Sequence, residues 1–323
     1  MADRVKRLKV VCLGGGIGTS QLLRGLKKYP VDITVITSMA DDGGSSGRLR
    51  KAYNIMPPGD IVSCIAAMMS DEDKELESLL IYRFPGNDKS NKSIDGHKLG
   101  NLIMLAEIQR TKDFYRGIDV MKRMCGVTNA EFYPATDQRV HLWAITNDGR
   151  RVHTENTLDL AQYSEPLGLK KVYINPSKPK VNSRVIESLR EADVIIGGPG
   201  DLYTNQLPVL IVPQIKQALL ESKARKIFIA NIANKPFETK GFVLSDFVKA
   251  IVEHIGEFPY DKIIANNNHS ISIPRKYKYK YIKIDDKIEA FKLVKLIKAD
   301  IVREEFPLYH DSRKLAEIVM KTV

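Results

Sequence analysis

Short apolar runs that break at glycine or asparagine constrain this chain most. Val10-Val11-Cys12-Leu13 runs into Gly14, Val194-Ile195-Ile196 into Gly197, and Ile227-Phe228-Ile229-Ala230 into Asn231. A strand that is apolar on both faces belongs in a sheet covered on both sides. Helical stretches follow, among them Ser20 to Lys28, which carries Leu22, Leu23 and Leu26 on one face. Val209 to Leu220 and Ser245 to His254 read the same way, with Ser245 as the expected N-cap. Repeated strand-loop-helix units predict an α/β, Rossmann-like fold with a mostly parallel, doubly wound sheet. At 323 residues and 43% hydrophobic, the chain has ample material for one such core, which excludes a disordered or disulfide-stapled chain.

Between roughly 80 and 170 the rhythm falters. Val140 to Thr146 reads as a strand, Asn147-Asp148-Gly149 as a hairpin turn, and Arg151 to Thr157 as its antiparallel return. We therefore expect a single domain over 1–323 with an inserted α+β subdomain over approximately 80–170. No apolar run is long enough to span a membrane, and no secretory leader is visible. Three cysteines (Cys12, Cys64, Cys125) match neither a zinc site nor a redox pair, so free thiols in the cytoplasm are expected.

The net charge is +11, and Ile273 to Lys298 holds nine Lys/Arg against three Asp/Glu. Lys276-Tyr277-Lys278-Tyr279-Lys280-Tyr281 reads as a half-buried strand with lysines on one face and tyrosines on the other. That separation, and the absence of a nucleic-acid motif, argue against specific nucleic-acid binding.

Loops at strand ends are where open α/β sheets bind ligands. Gly14-Gly15-Gly16-Ile17-Gly18-Thr19-Ser20 lies between a strand and a helix, where bare amides suit phosphate. It is neither the dinucleotide fingerprint nor a P-loop. Ala40-Asp41-Asp42-Gly43-Gly44-Ser45-Ser46-Gly47-Arg48 reads as a second loop. Its paired carboxylates suit a divalent metal or ligand hydroxyls, and Arg48 offers an anion fork. Asp60 follows Met56-Pro57-Pro58-Gly59, and His97 and Asn101 flank the start of an apolar helix. Gly198, Pro199, Gly200, Leu202, Tyr203 and Thr204 form a third loop, and Asn231, Asn234 and Glu238 a fourth. Together they predict a nucleotide-type ligand along the carboxyl edge of the sheet.

These motifs, from Leu13-Gly14-Gly15-Gly16 through Ala40 to Arg50, Pro57-Pro58-Gly59-Asp60, Gly96-His97, Leu99-Gly100-Asn101 and Leu202-Tyr203-Thr204, carry a resemblance. The chain resembles the bacterial gluconeogenesis factor family, a branch of the 2-phospho-L-lactate transferase superfamily, over nearly its full length. The resemblance implies a cytoplasmic, UDP-sugar-binding regulator (UDP-N-acetylglucosamine, for example) linking carbon metabolism to cell-wall precursor synthesis and cell shape. A protein partner in that synthesis and a homo-oligomer accompany this expectation. Against the family pattern, Ile17 stands between glycines where threonine is usual, Val62-Ser63 replaces Arg-Asn, and Lys98 replaces serine. Tyr309-His310-Asp311 stands where the family has an Arg-His pair. Lys98 and the Lys-rich 276–283 stretch are the cations available to compensate.

In the regulatory reading Gly14, Gly15, Gly16, Gly18 and Thr19 approach the ligand, and Gly198, Pro199, Gly200 and Thr204 complete a diphosphate cradle. Asn231 and Asn234 read base or sugar, Asp41 and Asp42 face the far end with Gly43, Gly44, Ser45 and Ser46, and His97 and His310 line the site. The alternative is a phosphoryl-group transferase, with Mg2+ on Asp41 and Asp42, Arg48 as clamp and His97 in attendance.

Overall fold

The computed structural model describes residues 7–41, 43–86, 94–153, 168–236, 238–287 and 294–323. Seven parallel strands form the main sheet: β1 (Leu8–Leu13), β2 (Val31–Thr37), β3 (Ala130–Pro134), β7 (Val194–Gly197), β8 (Arg225–Ile229), β10 (Lys262–Asn266) and β12 (Lys295–Ala299). Their spatial order is β12-β10-β8-β7-β1-β2-β3. The doubly wound, Rossmann-like expectation is met. From β1 the chain winds outward through β2 to β3, then returns to β7 on the other flank of β1 and winds outward again. The order therefore reverses between β1 and β7, and a crevice opens there at the carboxyl ends of the strands.

A second sheet holds β4 (His141–Thr146), β5 (Arg151–His153) and β6 (Leu169–Asn175), all antiparallel. The hairpin reading of 147–149 stands, and the return strand is described only to His153. On the outer face of this sheet Trp143 stacks on Tyr173 at 4.1 Å, with Arg151 over its ring at 3.9 Å. Between β2 and β3 run five helices: α2 (Gly44–Tyr53), α3 (Gly59–Met68), α4 (Lys74–Ile81), α5 (Leu99–Thr111) and α6 (Phe114–Met124).

Helix α1 (Gly16–Leu26) buries Leu22, Leu23 and Leu26 completely, each worth about 2 kcal/mol of transfer free energy. After α7 (Ser183–Glu191) and β7 the chain makes a π-helical turn (Leu202–Gln206), the short α8 (Leu207–Leu210) and α9 (Pro213–Glu221). The single helix read over 209–220 is thus split, because Pro213 cannot continue a helix from the preceding turn. Helix α10 (Leu244–Ile255) has Val243, not Ser245, at its N-cap. Asp246 accepts from the Val243 amide at 2.9 Å, while Ser245 is held by Asp285 through its amide and hydroxyl.

The 276–281 stretch is corrected too. It forms a tight turn at Arg275–Tyr277, and only Lys280–Tyr281 (β11) pairs, with Ala233–Asn234 (β9). Alternating Lys and Tyr lack a partner strand long enough to extend them. The closing helix, α11 (Ser312–Thr322), is capped by Asp311 and packs on α1. No helix among the described residues is long and apolar enough to cross a membrane.

Candidate functional site

Four helices start at the crevice. The Gly14 amide ties the first loop to the end of β2 through Ile36 O, at 2.9 Å. The Gly15 amide donates to Asn205 Oδ1 at 2.9 Å, and Asn205 Nδ2 donates to Asp60 Oδ2 at 3.0 Å. The Asp60 carboxylate also accepts from the Gly16 amide. A carboxylate on a helix N-terminus answers the partial positive charge of its free amides. The first turn of α3 therefore sits on the first turn of α1. A Cβ on Gly15 would lie 2.2 Å from Asp60 Oδ2, and one on Gly18 2.6 Å from Pro199 O. These two glycines are required by the protein's own close approaches, and Thr19 Oγ1 adds a bond to Pro199 O at 3.3 Å.

The second strand end departs from the sequence reading. Gly44 to Arg48, read as loop, are the start of helix α2. Glycine and serine are weak helix formers, but here they occupy the first turn, where Ser45 and Ser46 are buried against neighbouring helices. Asp41 Oδ1 accepts from the Gly43 amide at 2.8 Å. Asp42 lies outside the described residues. Ser45 Oγ meets His97 Nδ1 at 2.9 Å and accepts from Asn101 Nδ2 at 3.0 Å, which joins the starts of α2 and α5. A Cβ on Gly59 would lie 2.1 Å from Ser46 Oγ, which joins α2 to α3.

Arg48 is not directed at a ligand as an open fork, since its Nη2 donates to the Asp95 carbonyl. Arg50, fully buried, donates to the carbonyl of Val140 and to those of Met39 and Asp41, both at 3.4 Å. Both arginines thus hold backbone.

The β7 and β8 loops behave differently. Gly198 has φ +79°, and its Cβ would lie 2.6 Å from Ile229 O. The Gly200 amide donates to Asn231 Oδ1 at 3.2 Å. Glu238 Oε1 accepts from the amides of Tyr203 (2.6 Å) and Thr204 (2.9 Å) and from Thr204 Oγ1 (3.3 Å). Asn234 donates to Phe242 O at 2.7 Å instead of facing a base. His310 Nε2 meets Ala230 O at 3.2 Å, and Leu202 and Tyr203 are core residues.

Electrostatics follow from burial. Asp60 is pushed up to about 7, first by burial and then by the charge of Asp41, against the pull of Lys98. Lys98, placed just before α5, is lowered, first by burial, with Asp60 opposing and Arg83 adding to the fall. Burial takes His310 down to about 4, so it is neutral. Burial raises the Cys12 and Cys64 thiols, which keeps both protonated.

The structure thus brings Gly15, Gly16, Asp60, Ser45, Ser46, His97 and Asn101 together. Asn205, which links the glycine loop to Asp60, was missed in the sequence. Its one signal is a polar pair, Asn205-Gln206, inside an otherwise apolar turn. Among the described residues no three acidic, His or Cys side chains form a metal cage. The oxygen donors of Asp41 and Asp60 still suit Mg2+, because their mutual repulsion is what a cation relieves.

Comparison with known proteins agrees with this architecture. The family model described as 2-phospho-L-lactate transferase CofD matches residues 10–302. The chain is 39% identical over 321 residues to the gluconeogenesis factor of Bacillus subtilis (strain 168), covering 97% of each. It is 36% identical over 325 residues to the gluconeogenesis factor of Halalkalibacterium halodurans, covering 98% of this chain and 97% of the relative. The crystal structure of a UPF0052 family member from Bacillus halodurans superposes with a TM-score of 0.88 at 36% identity, covering 98% of this chain and 99% of that one. Sequence motifs, sheet order and these matches converge: the chain belongs to the 2-phospho-L-lactate transferase CofD family, among relatives named gluconeogenesis factor.

Proposed function

We propose that this protein is a cytoplasmic regulator that binds a UDP-sugar, such as UDP-N-acetylglucosamine, in the crevice between β1 and β7. In this reading it ties gluconeogenic carbon metabolism to cell-wall precursor synthesis and cell shape through a protein partner. The observation that carries the reading is the meeting of four helix N-termini (α1, α2, α3 and α5) around Asp60, Ser45 and His97. Such a convergence creates positive potential suited to a diphosphate. The names of the Bacillus subtilis and Halalkalibacterium halodurans relatives support the metabolic role.

The competing reading is a phosphoryl-group transferase, favoured by the family model and by the carboxylate of Asp41. Mg2+ would there neutralise charge on the transferred group. Asp41 and Asp42 would hold it.

Calorimetric titration with UDP-N-acetylglucosamine in the presence of Mg2+, followed by mass spectrometry of the recovered ligand, separates the two. Micromolar binding with intact ligand is expected. Conversion of the ligand would put the transferase first. Absence of heat with every member of a UDP-sugar panel would overturn the regulatory reading.

A further inference from the structure

The charged groups at the mouth of α5 differ in how they are partnered. Asp60 is committed to the α1 amides and to Asn205. Asp41 is committed to the Gly43 amide ahead of α2. On the cation side, Arg83 and Lys98 face each other across an isolated antiparallel bridge, and Arg83 Nη1 donates to Gly96 O. Lys98 is the exception. Its Nζ donates to Ser63 Oγ at 2.6 Å, and among the described residues it has no other hydrogen bond and no ion pair.

An ammonium carries three N–H donors, so two of them at Lys98 are uncommitted. Burying that charge is costly; the nearby carboxylates of Asp60 and Asp41 offset part of the cost without hydrogen-bonding to the ammonium, and a ligand's anionic oxygen in direct contact would offset more. A purely structural link between α3 and α5 would not need a charge: serine or glutamine could bridge the same carbonyls and hydroxyls. Ser63 itself is anchored, donating to Gly59 O at 2.7 Å, so it is a fixed acceptor that aims the ammonium. The result is a cation held on a rigid helix turn beside His97 and Ser45, in the same crevice as the glycine loop.

We propose that Lys98, aimed by Ser63, donates directly to a phosphoryl oxygen of the bound ligand, so that the diphosphate is held at the α3–α5 side of the crevice. This rests on the nucleotide-binding reading above and adds a specificity to it. The site selects ligands by an anionic group at Lys98 and tolerates changes in the neutral sugar. The diphosphate is then recognised by one side-chain cation and the helix amides, with Arg48 and Arg50 left to their backbone partners.

The test uses the full chain with UDP and inorganic pyrophosphate as probes, titrated into wild type, Lys98→Met, Lys98→Arg and Ser63→Ala. A charged hydrogen bond of this kind corresponds to roughly a 10- to 100-fold change in affinity. Lys98→Met is expected to lose that much affinity for UDP and to lose pyrophosphate binding altogether. Lys98→Arg is expected to recover most of it, and Ser63→Ala to weaken UDP by about threefold through a less fixed ammonium. The thermal midpoint of Lys98→Met should stay close to that of wild type, since relief of a buried ammonium is offset by the lost attraction to Asp60 and Asp41. This readout separates binding from structure. UDP binding to Lys98→Met as tightly as to wild type would overturn the inference and leave the nucleotide reading standing. Wild type that binds neither UDP nor pyrophosphate would overturn both. Were Lys98→Met to fail to fold, Lys98→Arg and Ser63→Ala decide: affinities equal to wild type in Ser63→Ala, with Lys98→Arg inactive, would overturn the proposal.

Discussion

The two halves of the crevice use the same residue types for different ends. On the β1–β2 side, charged groups lie close to one another: Asp60 is pushed toward neutrality by burial and by Asp41, and the Lys98 ammonium has a single hydrogen bond, to Ser63. On the β7–β8 side, polar groups are matched to backbone. Glu238 clamps two amides and a hydroxyl, Asn231 takes the Gly200 amide, and Asn234 takes the Phe242 carbonyl. The difference teaches that Asn and Glu at a strand end do not by themselves mark ligand contacts. Here they build the wall, and the opposite side carries an ammonium with hydrogen-bond donors to spare.

The sharpest way to break this contrast is at Glu238. Glu238→Ala orphans two buried amides, and we expect a loss of about 3 kcal/mol or more, read as a fall in the urea midpoint. Glu238→Gln keeps one acceptor oxygen and should recover much of that. If Glu238→Ala kept wild-type stability and lost UDP binding, the β7–β8 side would be ligand-directed after all.

Asp60 gives the next effect, through pH. Its folded pKa lies above the unfolded value, so the folded state holds the proton more tightly. Stability from this group is then present at low pH and is lost as pH rises from about 4 through about 7, by something on the order of 4 kcal/mol. Asp60→Asn should flatten that slope in denaturant titrations run across the range. His310 has the opposite sign. Its folded pKa is depressed to about 4, so its contribution is present above about 6.5 and is lost as pH falls toward 4. One side of the crevice thus resists acid and the other resists base. A slope unchanged in Asp60→Asn would remove the carboxylate from that account.

The smallest effect sharpens the contrast. Asn234→Ala removes one hydrogen bond to Phe242 O and is expected to cost about 1 kcal/mol. UDP affinity should stay within about twofold of wild type by calorimetry. A tenfold loss of affinity would return Asn234 to the ligand.

Much of the main sheet was legible because its central strands β1, β7 and β8 are apolar, β-branched-rich runs that end sharply. The edge strands were not. Ala130–Pro134 lacks β-branched residues, and Lys295–Ala299 carries the lysines of an exposed edge, so neither shows the fully apolar signature of a central strand. Helix α2 was hidden by glycine and serine, whose burial comes from α3 and α5 and not from local propensity. In the site, Gly15, Gly18 and Asp60 were legible as types, but their roles toward one another were not. That Asp60 covers the α1 amides depends on α3 folding back across 45 residues of chain, which spacing does not encode.

The small antiparallel sheet holds the chain's single tryptophan, pinned between Tyr173 and Arg151. Intrinsic tryptophan fluorescence is therefore an optical gauge of that sheet and is blind to the crevice between β1 and β7. Circular dichroism in the far ultraviolet, by contrast, is dominated by the main sheet and its helices. Unfolding followed by both signals compares the two sheets within one sample, and coincident or separate curves distinguish one cooperative unit from two.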